Sequence, residues 1–474
     1  MNVVYIDVDS LRADHLGVYG HDQPTTPNID ELAEDAVHFE NAYVANSPCM
    51  PSRAALISGR YGINNGVTTH GQSAQLIRSP QNWKDWFACW SEEWKKGGDV
   101  RNALAEWTGE SSNWLTLPEV FFHERIQTCA VSSFPRHSAL YFYHLWHEFY
   151  QPQEPEGEGE YFQTPRAEDI IDRSIEFIDR KVSNNDKFFL YTQLWDPHAP
   201  HNRPDDEVNK FRDRTLPPYP TSEQLETHKD WKYSSANHLG IDDLDDLHEL
   251  LANYDAEIHY ADNHIGRLLN KLKNHGVYED TLIVFTADHG EEFGEHGMYR
   301  QHWSAYEGTQ RVPLIVKPPT DVPVERGARK QLVTNVDMAP TIVDYANLDR
   351  PESWQGNSLR SVIRNSDTEW RDYIVFDHGL YTVQRAVRTE DWKFVRTYHP
   401  SLWDEILEEC QLFDMTGGRW EQEDLKDEYP DIVANLEERM AVWAENHVGR
   451  FEDALHATAR RGPAVYNSDR AYWE

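Results

Sequence analysis

The sequence predicts an α/β protein: a mostly parallel central sheet flanked by helices, with a smaller C-terminal α+β subdomain. Three observations carry that prediction. Apolar runs of strand length alternate with amphipathic stretches of helix length. Several of the strands end in acidic or imidazole residues, and from Arg371 the pattern changes to short apolar runs closed by turns. In a sheet of this kind ligands bind outside the carboxyl ends of the strands, so chemistry is expected there.

Val3-Val4-Tyr5-Ile6-Asp7-Val8-Asp9 reads as a buried strand ending in acids, with Asp9 at its tip. Asp7 shares that strand face by period-two alternation but lies deeper, as a supporting residue. Thr26 to Ala33 reads as a helix start, with Pro27 early and acids in the first turn. Cys49 stands at the mouth of an apolar helix that begins near Pro51. Trp83, Trp86, Trp90 and Trp94 recur at spacings of three and four. They make either a packing stripe or a stacking platform for a sugar ring. The runs Phe188–Leu194 and Thr281–Thr286 are further strands, followed by Asp196 and His198 in one case and by Asp288 and His289 in the other. A helix is expected over Leu247–Leu272 between them. These elements make residues 1–370 the larger unit. Residues 371–450 make an antiparallel sheet with a helix from Tyr429 to His447, and residues 451–474 a polar tail.

The 474 residues include 81 acidic and 45 basic side chains, a formal net charge of −36. Aromatics at 12%, with 17 Trp, give the chain enough to bury and exclude disorder as a reading of that charge. General binding to nucleic acid or to an anionic membrane is excluded, since both need a basic face. Two sources of the acidity stand side by side. One is a halophilic setting, where molar salt shrinks the Debye length to about 3 Å; the other is a plain acidic protein. The four cysteines are widely and irregularly spaced, which fits a reducing compartment. The opening residues run directly into a strand without a signal-peptide pattern, and no run approaches the roughly eighteen apolar residues of a membrane span. A cytoplasmic location is the resulting expectation.

Cys49-Met50-Pro51-Ser52-Arg53, with Leu56 and Gly59-Arg60 behind it, places a cysteine before a helix whose free N–H groups favour an anion. Arg53 adds a planar fork for anion oxygens. A buried small cysteine is the alternative reading of the same residues. The segment resembles the signature of the type I sulfatases of the alkaline phosphatase superfamily. The likeness continues through Asp9–Leu16, Thr26–Asp30, Asp196–Pro200, Thr286–Glu291, Tyr306-Glu307, Arg311–Ile315, Asp391–Lys393 and Gln411–Asp414.

That resemblance implies an alkaline phosphatase-like sheet and hydrolysis of sulfate esters. It implies that Cys49 is converted to Cα-formylglycine, whose hydrate attacks sulfur, by a formylglycine-generating or equivalent maturation enzyme. It carries metal ligation onto Asp9, Asp288, His289 and the modified Cys49. Oxygen-rich donors of this kind suit a hard cation, Ca²⁺ first and Mg²⁺ as the alternative. It assigns Arg53 to the sulfuryl oxygens and His198 to proton donation.

Three departures from the family pattern stand out. The second of two usual Asp residues is Ser10. The usual Lys before the Tyr-Glu block is His302, which serves the anion only while protonated. Val131–His137 replaces the central Lys-and-His block, so Arg136 and His137 become the substrate-binding candidates. The remaining histidines, including His70 and His296, read as structural or exposed. A sulfated small molecule or glycan is the expected substrate. The rival activities are those of a phosphodiesterase or phosphonate monoester hydrolase of the same superfamily, or a catalytically silent anion- or glycan-binding protein.

Overall fold

The structure is a computed structural model describing residues 1–70, 115–134, 146–153, 164–448 and 452–468. The Trp-rich stretch, Arg136 and His137 lie outside the described residues.

An eight-stranded sheet forms the centre. Its spatial order is Gly327–Arg329, Val37–Phe39, Leu314–Lys317, Thr281–Ala287, Asn2–Val8, Phe188–Leu194, Gln127–Val131 and Glu148–Tyr150. Asn2–Val8 lies in the middle, parallel to both neighbours, with Asp7 beside Gln193 on one side and Thr286 on the other. Parallel strands are covered on both faces, which is why these three read as near-continuous apolar runs. Every residue of each is buried. Each large apolar side chain so buried contributes about 1.5–3 kcal/mol. Only Leu314–Lys317 runs antiparallel to its two neighbours.

Two packed groups of helices flank the sheet. Leu244–Asn274 contacts both Pro27–Glu34 and Ala167–Ser183, and Cys49–Ser58, Leu117–His123 and Met338–Tyr345 contact one another. The 31-residue helix Leu244–Asn274 starts where Asp243 caps it, accepting from the amides of Asp245 and Asp246; such a cap contributes about 1 kcal/mol.

The C-terminal sheet is antiparallel through Cys410–Asp414, Trp392–His399, Val383–Thr389 and Tyr373–His378. A fifth strand joins it from far away in sequence: Asn46-Ser47 pairs in parallel with Asp377-His378. The residues just before Cys49 are thereby stitched to the C-terminal subdomain. Helix Pro430–Val448 packs on this sheet through Leu436, Met440 and Trp443.

The stretch expected as a polar tail is instead partly structured. It carries the helices Ala454–Arg461 and Ala464–Ser468, with Leu455 and Val465 buried. Two interactions that composition does not reveal hold it: Asp453 caps the first helix and pairs with Arg385 at 2.7 Å. No helix among the described residues is long and apolar enough to cross a membrane.

Candidate active site and metal centre

Asp9 and Asp288 follow adjacent parallel strands, so their carboxyl groups emerge side by side at one edge of the sheet. Ser10 bridges them. Its amide donates to Asp288 Oδ1 at 3.2 Å and its hydroxyl to Asp9 Oδ1 at 3.0 Å. To do so it takes a left-handed backbone (φ 59°), a conformation that L-residues adopt at a cost and that clusters at functional sites. His289 follows Asp288 and is fixed by Nδ1 donating to the Gly290 carbonyl at 2.7 Å. Gly290 permits this packing: a Cβ there would come within 2.1 Å of the Gly308 carbonyl oxygen.

Cys49 is the first residue of the helix Cys49–Ser58 and is buried. Its Sγ lies 3.0 Å from His289 Nε2. The donor atoms of Asp9, Cys49, Asp288 and His289 all fall within 4.8 Å of one another. The four residues named from the sequence as metal ligands, separated by up to 280 positions in the chain, therefore converge on one point.

Arg53, one turn into the helix, is turned toward the carboxylates. Its Nε donates to Asp7 Oδ2 at 2.8 Å, and its Nη1 reaches Asp9 Oδ2 at 3.0 Å and Asp288 Oδ2 at 2.6 Å. Nη2 is buried and has no hydrogen-bond partner among the described residues. The guanidinium lies 4.4 Å over the Phe134 ring. Tyr191 OH also donates to Asp7, so Asp7 anchors Arg53 from behind as its strand position suggested.

Burial and the shared negative charge govern the ionisation here. Burial works against a charge on Asp9, but Arg53, His198 and His289 hold its carboxyl below the usual range. Asp288 is pushed well up by burial and by Asp9 and Asp7, against the pull of Arg53. Burial also drives the Cys49 thiol well up, with Asp9 and Asp288 adding to it, and drives His289 well down, helped by His302. Three carboxylates around one guanidinium leave a buried excess of negative charge, which is costly without a further cation. The hard oxygens of Asp9 and Asp288 with one imidazole suit a divalent ion.

His302 lies beside His289, ring centres 4.3 Å apart and tilted by 40°, with Nδ1 3.4 Å from Glu291 Oε1. His198 lies 6.5 Å from His302, ring to ring, and its Nδ1 donates to the Ala199 carbonyl at 2.6 Å. Both candidates for acid chemistry thus flank the cluster.

Sequence reading missed the supports. His70 Nε2 accepts from the Met50 amide at 3.3 Å, at the head of the helix Cys49–Ser58. His378 Nδ1 lies 2.8 Å from Ser47 Oγ, and Gln310 donates to the same oxygen. Tyr381 meets the edge of His302 at 5.7 Å. Only the pairing of Asn46-Ser47 with Asp377-His378 brings His378 here, and that pairing has no local sequence signal.

Comparison with known proteins identifies the family and the fold. The sequence profile of the sulfatase family matches residues 1–348, and that of the N-sulphoglucosamine sulphohydrolase C-terminal region matches residues 294–446. The chain belongs to the sulfatase family. The N-acetylglucosamine-6-O-sulfatase of Bacteroides thetaiotaomicron is 24% identical across 97% of this chain and 90% of that protein. The arylsulfatase of Clostridium perfringens is 26% identical across 80% and 82%. Among solved structures, one bound to its substrate D-glucosamine-2-N,6-O-disulfate superposes with a TM-score of 0.71 at 20% identity, covering 96% of this chain and 99% of the other. The phosphonate monoester hydrolase of Agrobacterium radiobacter superposes with a TM-score of 0.70 at 18% identity, covering 94% and 96%. This sulfatase therefore shares the alkaline phosphatase-like fold expected from its sequence.

Proposed function

We propose that this sulfatase hydrolyses sulfate esters of saccharides, using Cys49 converted to Cα-formylglycine and a divalent cation, Ca²⁺ or alternatively Mg²⁺. The observation that carries the reading is the convergence of Asp9, Cys49, Asp288 and His289 within 4.8 Å. These residues would hold the cation, which supplies positive charge opposite the sulfuryl oxygens. The hydrated aldehyde supplies two hydroxyls on one carbon, one to take the sulfuryl group and one whose deprotonation releases it. A maturation enzyme of the formylglycine-generating type is its required partner.

The chain's own residues do the rest. Arg53 orients Asp9 and Asp288 through Nη1, and its Nη2 is the guanidinium's remaining donor for a substrate oxygen. With Nδ1 committed to Ala199, His198 exchanges its proton at Nε2 and protonates the leaving alkoxide. His302 faces the anion from beside His289, and Arg136 and His137, outside the described residues, are kept as substrate-binding candidates on the sequence alone. The saccharide assignment draws on the relatives named for sugar sulfates.

Two measurements on mature protein test this together: the mass of the peptide containing position 49, and turnover of matched sulfate and phosphate esters. Formylglycine with faster sulfate ester cleavage is the expected result. An unmodified thiol in active protein overturns the nucleophile. Faster phosphate or phosphonate ester cleavage moves the enzyme to the rival activity.

A further inference from the structure

We infer that the sulfatase carries a second, non-catalytic binding site for an anionic saccharide, in the cleft where Arg419 and Trp420 face Arg311 and Arg388. The inference rests on the sulfated-saccharide reading for the identity of the ligand. It rests on separate residues for the site itself.

A cavity of about 510 Å³ opens here, with Tyr19, His38, Arg311, Arg388, Arg419 and Trp420 in its lining. Beyond Arg419 and Trp420 lies a second cavity of about 320 Å³. None of Asp9, Cys49, His198, Asp288, His289 or His302 lines either.

The charge is unusual for a chain carrying −36. Arg311 uses Nε on the Glu40 carbonyl at 2.8 Å, and Arg388 bonds the Tyr43 hydroxyl at 3.2 Å and the Glu390 carbonyl at 2.8 Å. Among the described residues neither guanidinium sits in a close ion pair. Glu307, on the same wall, is already held by Lys393 at 3.2 Å and by the Tyr43 hydroxyl at 3.0 Å. Arg419 pairs with Asp14 at 2.7 Å, and among the described residues its Nε and His38 Nδ1 are buried without a hydrogen-bond partner.

Charge-assisted hydrogen bonds from a guanidinium to an anionic oxygen are the strong kind, and Arg311, Arg388 and Arg419 bring three guanidinium groups to this lining. Planar guanidinium groups match sulfate and carboxylate oxygens, and the faces of sugar rings pack on Tyr and Trp. The volume suits one or two sugar residues rather than a lone inorganic anion.

The test is calorimetric titration of the full-length Cys49→Ala protein with a heparin-derived tetrasaccharide, and with maltotetraose as its neutral counterpart. Saturable binding of the sulfated probe is expected, weakened about tenfold by Arg311→Gln or Trp420→Ala, with no binding of maltotetraose. Asn41→Glu, which places a carboxylate in the lining without removing a guanidinium, weakens binding likewise and covers a variant that fails to fold. In the active enzyme the same substitutions leave kcat/KM for 4-nitrophenyl sulfate within about twofold, because a small ester does not reach the second site. Tetrasaccharide affinity unchanged in all three variants, or equal binding of maltotetraose, overturns the inference. Wild-type protein that turns over no sulfate ester, while these substitutions still weaken tetrasaccharide binding, removes the hydrolase reading and leaves this site standing.

Discussion

Arg53 and Arg385 are both buried guanidiniums, each 1% exposed, yet they are used in opposite ways. In the C-terminal sheet Arg385 is saturated. Nε and Nη2 grip Asp377 at 2.6 and 3.0 Å, while Nη1 and Nη2 grip Asp453 at 2.7 and 3.2 Å. At the edge of the main sheet Arg53 serves three carboxylates, two of them through the same nitrogen, and one nitrogen has no partner among the described residues. Complete pairing makes a clamp that holds the last helices to the subdomain. Incomplete pairing, with negative charge in excess, is the arrangement that the proposed cation and substrate anion would complete. The contrast separates buried charge that serves the fold from buried charge that serves chemistry.

The largest expected effect comes from Cys49, the proposed nucleophile beside the incomplete cluster. Cys49→Ala should lower turnover of an aryl sulfate by roughly 10⁴-fold or more. The melting temperature should move by only a few degrees, since Ala keeps the helix and removes one small buried atom. Near-wild-type rates in a folded variant would place the chemistry elsewhere.

Next comes the pair of arginines itself. Arg385→Gln should destabilise the protein by about 3–5 kcal/mol in urea titrations, because it strands Asp377 and Asp453. The folded fraction should keep kcat/KM within about twofold. Arg53→Gln should instead weaken Ca²⁺ binding by about 10–100-fold, the usual consequence of losing a group that orients metal ligands. Added Ca²⁺ should recover part of its stability, by mass action on the folded state. If Arg385→Gln abolished turnover in folded protein while Arg53→Gln spared it, the comparison would be the wrong way round.

A third cluster sharpens the same distinction through pH. Asp196 and Glu257 share Arg203, at 4.0 and 2.8 Å, close behind His198. Burial, reinforced by Asp196, pushes the Glu257 carboxyl from 4.5 up to about 7. Between those values the folded protein holds a proton that the unfolded chain has released. Stability therefore falls as pH rises from 4.5 to 7, and the cost is complete above 7. Glu257→Gln keeps an acceptor for the Asn202 amide and removes the titration. Its stability relative to wild type should rise across that window, by up to roughly 3 kcal/mol, as measured by urea unfolding at pH 4 and pH 8. A difference that stays constant with pH would show that the proton is not held there.

These clusters also mark how far the sequence could be read. The strands that deliver Asp9 and Asp288 announce themselves as apolar runs ending in acids, and the Cys49 segment carries a family signature. That was enough to name four residues that meet within 4.8 Å. The direction of Arg53 was not legible. A guanidinium one turn behind a nucleophile can face substrate or support, and the choice depends on Asp7, 46 residues earlier in the chain. Nor was the contribution of His378 and Tyr381, which reach the site only because a two-residue strand joins the C-terminal sheet. The supposed tail failed for a related reason: its order comes from the Asp453–Arg385 pair, a contact across 68 positions. Periodicity reports local structure, whereas partners of buried charge are decided by topology.

The smallest expected effect concerns ionic strength, and it tests whether the incomplete cluster is electrically isolated from the rest of the molecule. A protein of net charge −36 repels an anionic ester at long range. Raising salt from 0.1 to 1 M shortens the Debye length from about 10 to 3 Å, which weakens that repulsion. The contacts around Cys49 are buried and screened far less. For a small aryl sulfate, kcat/KM should therefore hold or rise by no more than a few-fold across that range. A steady decline would mean that salt reaches the cluster itself, so that Asp9, Asp288 and Arg53 behave as an exposed charge network rather than a sealed one.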